Sequence, residues 1–145
     1  MDTRFSSAIH TLILIAEAKI PLSSEQIAGS VGTNASYIRK ITSLLKKKGI
    51  IESHRGISGF ALKPRPDEVT LLQIYQAVND MEDVGLFDLH QNPNDQCVVG
   101  RYIKPVLNNM FAEMEDAFAR ELAGKTLADC IGAIRKEIEA EEKND

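Results

Sequence analysis

The chain has 145 residues, 43% of them hydrophobic, and a net charge of −4, which suits one soluble domain, or one small domain with an appendage. Its longest apolar run near the start, Leu12-Ile13-Leu14-Ile15-Ala16, is far short of the roughly 20 residues that span a bilayer. No basic segment followed by a small-residue cleavage site is visible, so neither membrane insertion nor export is expected and the cytoplasm is the predicted compartment.

Phe5, Ala8, Ile9, Leu12, Ile15 and Ala16 recur every three or four positions, which predicts an amphipathic helix over about 4–18. Pro21 ends that region. Ser23 with Gln26 is a capping-box pair that opens a short helix to about Val31, broken at Gly32. Asn34 is a good N-cap for a third helix over about 35–48. Ile38, Ile41 and Leu45 form its buried stripe, and Ser36, Arg39, Lys40 and Ser43 its polar one. Lys46, Lys47 and Lys48 crowd the last turn, where cations suit the helix dipole, and Gly49 stops it. The apolar runs around Ile50-Ile51 and Phe60-Ala61-Leu62, joined through Gly56 and Gly59, predict a β-hairpin. Pro64 and Pro66 end it.

Thr70 with Gln73 makes another capping box, ahead of a helix through Leu71, Leu72, Ile74, Tyr75 and Val78. Residues 83–100 read as irregular. A long helix is predicted to begin near Tyr102 or Ile103, because Pro105 belongs in a first turn, and to end at Gly124. Its periodic apolar positions are Ile103, Val106, Leu107, Met110, Phe111, Met114, Phe118 and Leu122. Thr126 with Asp129 caps a last helix, whose tail Glu139–Asp145 is expected to fray. Three regions follow: 1–66, 67–100 and 101–145.

Helix, short helix, glycine turn, helix, hairpin is the order of a winged helix-turn-helix. In that arrangement the second helix of the turn pair buries one stripe and offers the other to the major groove. Asn34, Ser36, Tyr37, Arg39, Lys40 and Ser43 are the candidates for nucleic-acid contact. His54 and Arg55 are the candidates on the hairpin, where an arginine suits a minor groove or a phosphate. Charge agrees with this. Residues 1–66 hold ten basic against four acidic residues, a net +6, and residues 67–145 hold seven against seventeen, a net −10. A basic part joined to an acidic part suggests one face for a polyanion and another for something else.

Three segments resemble the Rrf2 family of bacterial transcription regulators: "VGTNASYIRKITSLLKKKGIIESHRG", "EVTLLQIYQAV" and "CVVGRYIKPVLNNMFAEMEDAFARELAGKTLADCI". The resemblance spans nearly the whole chain. It implies a mainly α-helical protein with a winged helix-turn-helix DNA-binding domain and a long C-terminal dimerisation helix. It implies a homodimer that acts as a repressor on double-stranded, pseudo-palindromic operator DNA, associated with the nucleoid when bound. Ile103, Val106, Leu107, Met110, Phe111, Met114 and Phe118 are the expected dimer interface. Two departures stand out. Many family wings carry consecutive glycines, whereas here Gly56 and Gly59 are isolated. Cluster-binding members have three cysteines in the loop before the long helix, and this chain has only Cys97 there.

Iron–sulfur clusters usually need about four ligands, so no cofactor and no metal are expected. An unusual shared site using Cys97 with His90 or Asp95 is the minority alternative. Near a helix N-terminus, with Arg101 close by, a Cys97 thiolate is favoured and open to oxidation; a small hydrophobe filling the helix entry is the bland alternative. Cys130, among Leu127, Ile131 and Ile134, reads as core. No nucleophile–base pair, phosphate-cradling glycine loop or carboxylate pair points to an enzyme. A winged helix that binds another protein instead of DNA is the remaining competitor.

Overall fold

The structure, a computed structural model, describes residues 2–54 and 56–144. Three helices come first: α1 (Arg4–Glu17), α2 (Ser24–Val31) and α3 (Ala35–Lys47). Local chemistry sets their ends. Ser23 Oγ accepts from the Gln26 amide at 3.2 Å, and Gln26 Oε1 accepts from the Ser23 amide at 2.8 Å, a closed capping box. Gly32 ends α2 with φ of 85°, and its amide donates to the Ala28 carbonyl, a backbone conformation that glycine adopts without steric cost. Asn34 Oδ1 accepts from the Tyr37 amide at 2.8 Å and starts α3.

The three helices share one core. Ala8, Leu12 and Ile15 of α1 meet Ile27 and Ala28 of α2 and Ile38, Ile41 and Leu45 of α3. Each fully buried Leu or Ile contributes roughly 1.5–3 kcal/mol. A two-stranded antiparallel hairpin follows, β1 (Ile51–Ser53) against β2 (Phe60–Leu62), with Ile51 opposite Leu62 and Ser53 opposite Phe60. The His54 amide donates to the Gly59 carbonyl at 3.1 Å and closes the base of the tip. Gly59 lies against the α1–α2 connection: a Cβ there would sit 2.5 Å from Pro21 Cβ. The hairpin is thus packed on the connection and is not free to swing.

After a 3-10 turn (Pro66–Glu68) come α4 (Leu71–Val78), α5 (Val98–Ala123) and α6 (Leu127–Asn144). Thr70 and Gln73 form the expected capping box, and so do Thr126 and Asp129. The starts of α4 and α6 are tied together. The Leu71 amide donates to the Lys125 carbonyl at 2.9 Å, and the Leu127 amide to the Val69 carbonyl at 2.8 Å. Ile74, Ala77 and Val78 of α4 and Leu127 and Ile131 of α6 complete the core, which therefore runs through residues from both ends of the chain. Among the described residues no helix is long and apolar enough to cross a membrane.

Two helix boundaries differ from expectation. α5 begins at Val98, not near Ile103, so Pro105 sits inside it. A proline there removes the amide that would bond the Arg101 carbonyl, at a cost of about 3 kcal/mol. Arg101 and Pro105 are both exposed, so water can serve that carbonyl. The early start has its own support: the Arg101 amide donates to the Cys97 carbonyl at 2.9 Å and Arg101 Nε to the Asp95 carbonyl at 3.0 Å. Gly100 permits it, since a Cβ there would overlap the Asn94 carbonyl. The second difference is the tail, which stays helical through Asn144. Its Glu, Ala and Lys residues are strong helix formers.

Candidate nucleic-acid interface

The polar face of α3 is assembled as the periodicity implied. Ser36, Arg39, Lys40 and Ser43 are all exposed and, with Leu44, line one shallow depression. Asn34 and Tyr37 stand apart from them. The Asn34 carboxamide oxygen is used as the α3 cap. Tyr37 is half-buried on the flank of the helix and packs against the core. Arg39 is not free in this structure, because its guanidinium pairs with Glu25 of α2 at 3.3 Å.

The lysines closing α3 also have partners. Lys47 meets Asp80 at 3.1 Å and Lys48 meets Glu82 at 2.9 Å, while Lys46 donates to Ser53 Oγ of β1 at 2.9 Å. The Glu82 carboxylate holds the Lys48 ammonium above its ordinary pKa, against a small desolvation. The Lys47 and Lys48 pairs join the end of α3 to the start of the α4–α5 connection. Sequence reading missed them, because they link positions more than thirty residues apart and no local pattern encodes them. Asp80 itself has φ of 48°, an uncommon conformation for a residue with a side chain, and one that aspartate tolerates better than most.

On the wing, His54 is half-buried. It lines a cleft with Ile15, Lys19, Pro21 and Phe60, so its side chain faces the α1–α2 connection. Arg55 lies outside the described residues.

Cys97 is exposed and is the N-cap residue of α5. The Gly100 and Val99 amides at the helix start hold its thiol below the ordinary range, and the slight desolvation opposes them. The sulfur completes no cap hydrogen bond of standard geometry, so the effect is that of amides clustered near it. Cys130 is half-buried, and burial, reinforced by Asp129, pushes its thiol up. Among the described residues no three His, Cys, Asp or Glu side chains are grouped as a metal site. With one exposed thiol before α5, the donor set does not fit an iron or iron–sulfur group.

The seven apolar positions expected to form one interface divide between two faces. Phe118 packs edge-on against Tyr75 of α4, with ring centres 5.5 Å apart, and Phe111 lies 4.9 Å from Phe87 of the preceding connection. Both face their own chain. Ile103 and Leu107 are half-buried. Val106, Met110 and Met114 are exposed, and Tyr102, Val98 and Val99 extend their stripe toward the helix start. Phe87 could not be placed from sequence, since it lies in a stretch with no periodicity.

A winged helix-turn-helix with an exposed Ser-Arg-Lys-Ser face is a DNA-binding architecture. Comparison with known proteins narrows it. The model of the Rrf2 family, described as iron-dependent transcriptional regulators, matches residues 1–133. A Bacillus subtilis (strain 168) protein named as an HTH-type transcriptional regulator, YwnA, is 42% identical over 134 residues, covering 92% of this chain and 98% of that one. Two solved structures share the fold. CymR, the global cysteine regulator of B. subtilis, has a TM-score of 0.67 at 21% identity, over 91% of this chain and 95% of its own. IscR of T. potens has a TM-score of 0.66 at 20% identity, over 92% and 87%. The chain belongs to the Rrf2 family: it is a DNA-binding transcriptional regulator and not an enzyme.

Proposed function

We propose that the protein is a cytoplasmic homodimeric repressor that binds a pseudo-palindromic operator and responds to thiol-reactive signals through Cys97. One observation carries the dimer. α5 has 26 residues, yet Leu122 is its only buried one among those described. A helix that long needs a partner surface for Val106, Met110 and Met114. A twofold dimer supplies one and presents two α3 helices to two half-sites. Ser36, Tyr37, Arg39, Lys40 and Ser43 read and position the operator, with Asn34 and His54 at the margins, and Arg55 is assigned to DNA contact from the sequence alone.

The exposed Cys97, its thiol held low at the entry to α5, supports the sensor role. Attack of its thiolate on a hydroperoxide expels the alcohol or water and leaves a sulfenic acid. That change at the α5 N-cap would alter the helix start and so the spacing of the two heads. CymR has also been solved in an oxidised form, from Staphylococcus aureus, at 20% identity.

The test is operator binding before and after peroxide treatment, with wild type and Cys97→Ser, using the region upstream of the protein's own gene. Wild type is expected to release on oxidation and recover with thiol reductant, while the variant stays bound. Identical behaviour of the two would remove the sensor. Lack of any preference for that region over random duplex would remove the reading that it holds an operator of this protein.

A further inference from the structure

The exposed face of α3 does not stop at Ser43. At about 100° per residue, Ser36, Lys40, Ser43 and Lys47 fall within about 60° of one another, opposite the buried Ile38, Ile41 and Leu45. Lys47 therefore continues the Ser36–Lys40–Ser43 face by one further turn. Its ammonium is already occupied: it donates to both carboxylate oxygens of Asp80, at 3.1 and 3.3 Å.

The backbone holds Asp80 in place for this contact. Its φ of 48° is the left-handed conformation that closes a helix. Its amide donates to the Ala77 carbonyl at 3.2 Å, and the Met81 amide to the Gln76 carbonyl at 3.0 Å. Glycine or asparagine usually fills such a position; what an aspartate adds is an anion beside Lys47. The next turn of the connection is tied down as well. Lys48 meets Glu82 at 2.9 Å, and the Gln76 side-chain amide donates to the Glu82 carbonyl. A few residues on, the same connection is fastened to α5. The Leu86 and Phe87 amides both donate to the half-buried Glu115 carboxylate, and the Phe87 ring lies 4.9 Å from Phe111.

We propose that Lys47 is a phosphate contact of the DNA-bound protein and that Asp80 is its mask, a carboxylate standing where a DNA phosphate will stand, so that the α4–α5 connection competes with DNA for the end of α3. This rests on the reading of α3 as the operator-contacting helix and adds a regulated contact to it. The chemistry favours exchange. A carboxylate and a phosphate offer an ammonium the same kind of charged acceptor. The Lys47 and Asp80 side chains are 62% and 52% exposed, and a pair that open is weak. A duplex carries one negative charge per about 1.7 Å of its axis and releases bound counterions when a lysine arrives. DNA thus wins Lys47, and loses part of the gain in displacing Asp80. Because the connection is anchored on α5, a shift of α5 that draws it away or presses it in changes this competition. By linkage, DNA binding acts back on α5 with the same free energy.

The test is fluorescence anisotropy of the full-length protein on a random-sequence duplex across a salt series, where phosphate contacts supply essentially all of the binding, with circular dichroism to verify folding. Asp80→Asn keeps the side-chain shape and suits the left-handed backbone. It should tighten binding by up to about fivefold, the whole of one exposed pair. Lys47→Ala should weaken binding and lower the salt slope by about 0.9. The double mutant separates a mask from a general charge effect: Asp80→Asn should bring little gain once Lys47 is gone. Asp83→Asn removes the same charge from the same connection, at an exposed residue in no ion pair among the described residues, and should bring a smaller gain. Glu115→Ala unfastens the connection from α5 and should also tighten binding, but only while Lys47 is present. An undiminished Asp80→Asn gain in the Lys47→Ala background would overturn the mask, as would an equal gain from Asp83→Asn. A Glu115→Ala variant that binds like wild type would overturn the link to α5. An unchanged salt slope in Lys47→Ala would overturn the phosphate contact; the reading of α3 survives that result where Lys40→Ala still lowers the slope, and falls where neither lysine does.

Discussion

Arg39 offers the sharpest test of the recognition surface, because its guanidinium is already engaged. It lies 3.3 Å from Glu25, and the two side chains are 58% and 70% exposed. A pair that exposed is worth about 0.2–1 kcal/mol. An arginine contact to a base edge is worth about 1–3 kcal/mol, so DNA should win the guanidinium from Glu25. Glu25→Gln removes the competitor and should tighten operator binding by up to about fivefold, the whole of that exposed pair. Arg39→Ala should weaken operator binding by about 5- to 150-fold, with a smaller loss on random duplex. The double-mutant cycle separates the causes. If Glu25 acts by holding Arg39, Glu25→Gln has little effect in the Arg39→Ala background. Fluorescence anisotropy with operator and random duplexes, at two salt concentrations, provides every value. An Arg39→Ala loss equal on both duplexes would refute base reading. A Glu25→Gln gain that persists undiminished without Arg39 would show that Glu25 acts only by repelling phosphates.

Other residues make further tests. Lys40→Ala should reduce the slope of log affinity against log salt by about 0.9 if Lys40 neutralises one phosphate; an unchanged slope would place Lys40 off the DNA. Gly100→Ala should destabilise the start of α5, because its Cβ would overlap the Asn94 carbonyl, whereas Gly132→Ala, with open space around it in α6, should stabilise by about 1 kcal/mol. Chemical denaturation compares the two, and equal stabilisation would contradict the close packing at Gly100. Iodoacetamide labelling should modify Cys97 with a pH midpoint below that of a free thiol and Cys130 with one above it. Their thiols are displaced in those directions, and only the thiolate reacts. A depressed acid contributes above its unfolded pKa, and the contribution disappears as pH falls through its folded value, so the stabilisation from the Cys97 thiolate is largest in alkaline solution.

Local pattern alone located much of this protein. The capping pairs at Ser23, Thr70 and Thr126, the glycine at Gly32 and the stripe Ile38–Ile41–Leu45 act within one or two helical turns, so they are legible without a fold. The face Ser36–Arg39–Lys40–Ser43 follows from the same 3.6-residue period. The start of α5 was not legible, because Pro105 argued locally against it while contacts from Asp95 and the absence of a Gly100 side chain allowed it.

Tertiary structure decided which apolar residues of α5 face their own chain and which face outward. Periodicity marks an apolar position but carries no information about what covers it. Phe111 and Phe118 turn inward only because Phe87 and Tyr75 are there to meet them. The ion pairs from Lys47 and Lys48 to Asp80 and Glu82 arise in the same way. They join residues distant in the chain, whose proximity is set by packing of the shared core.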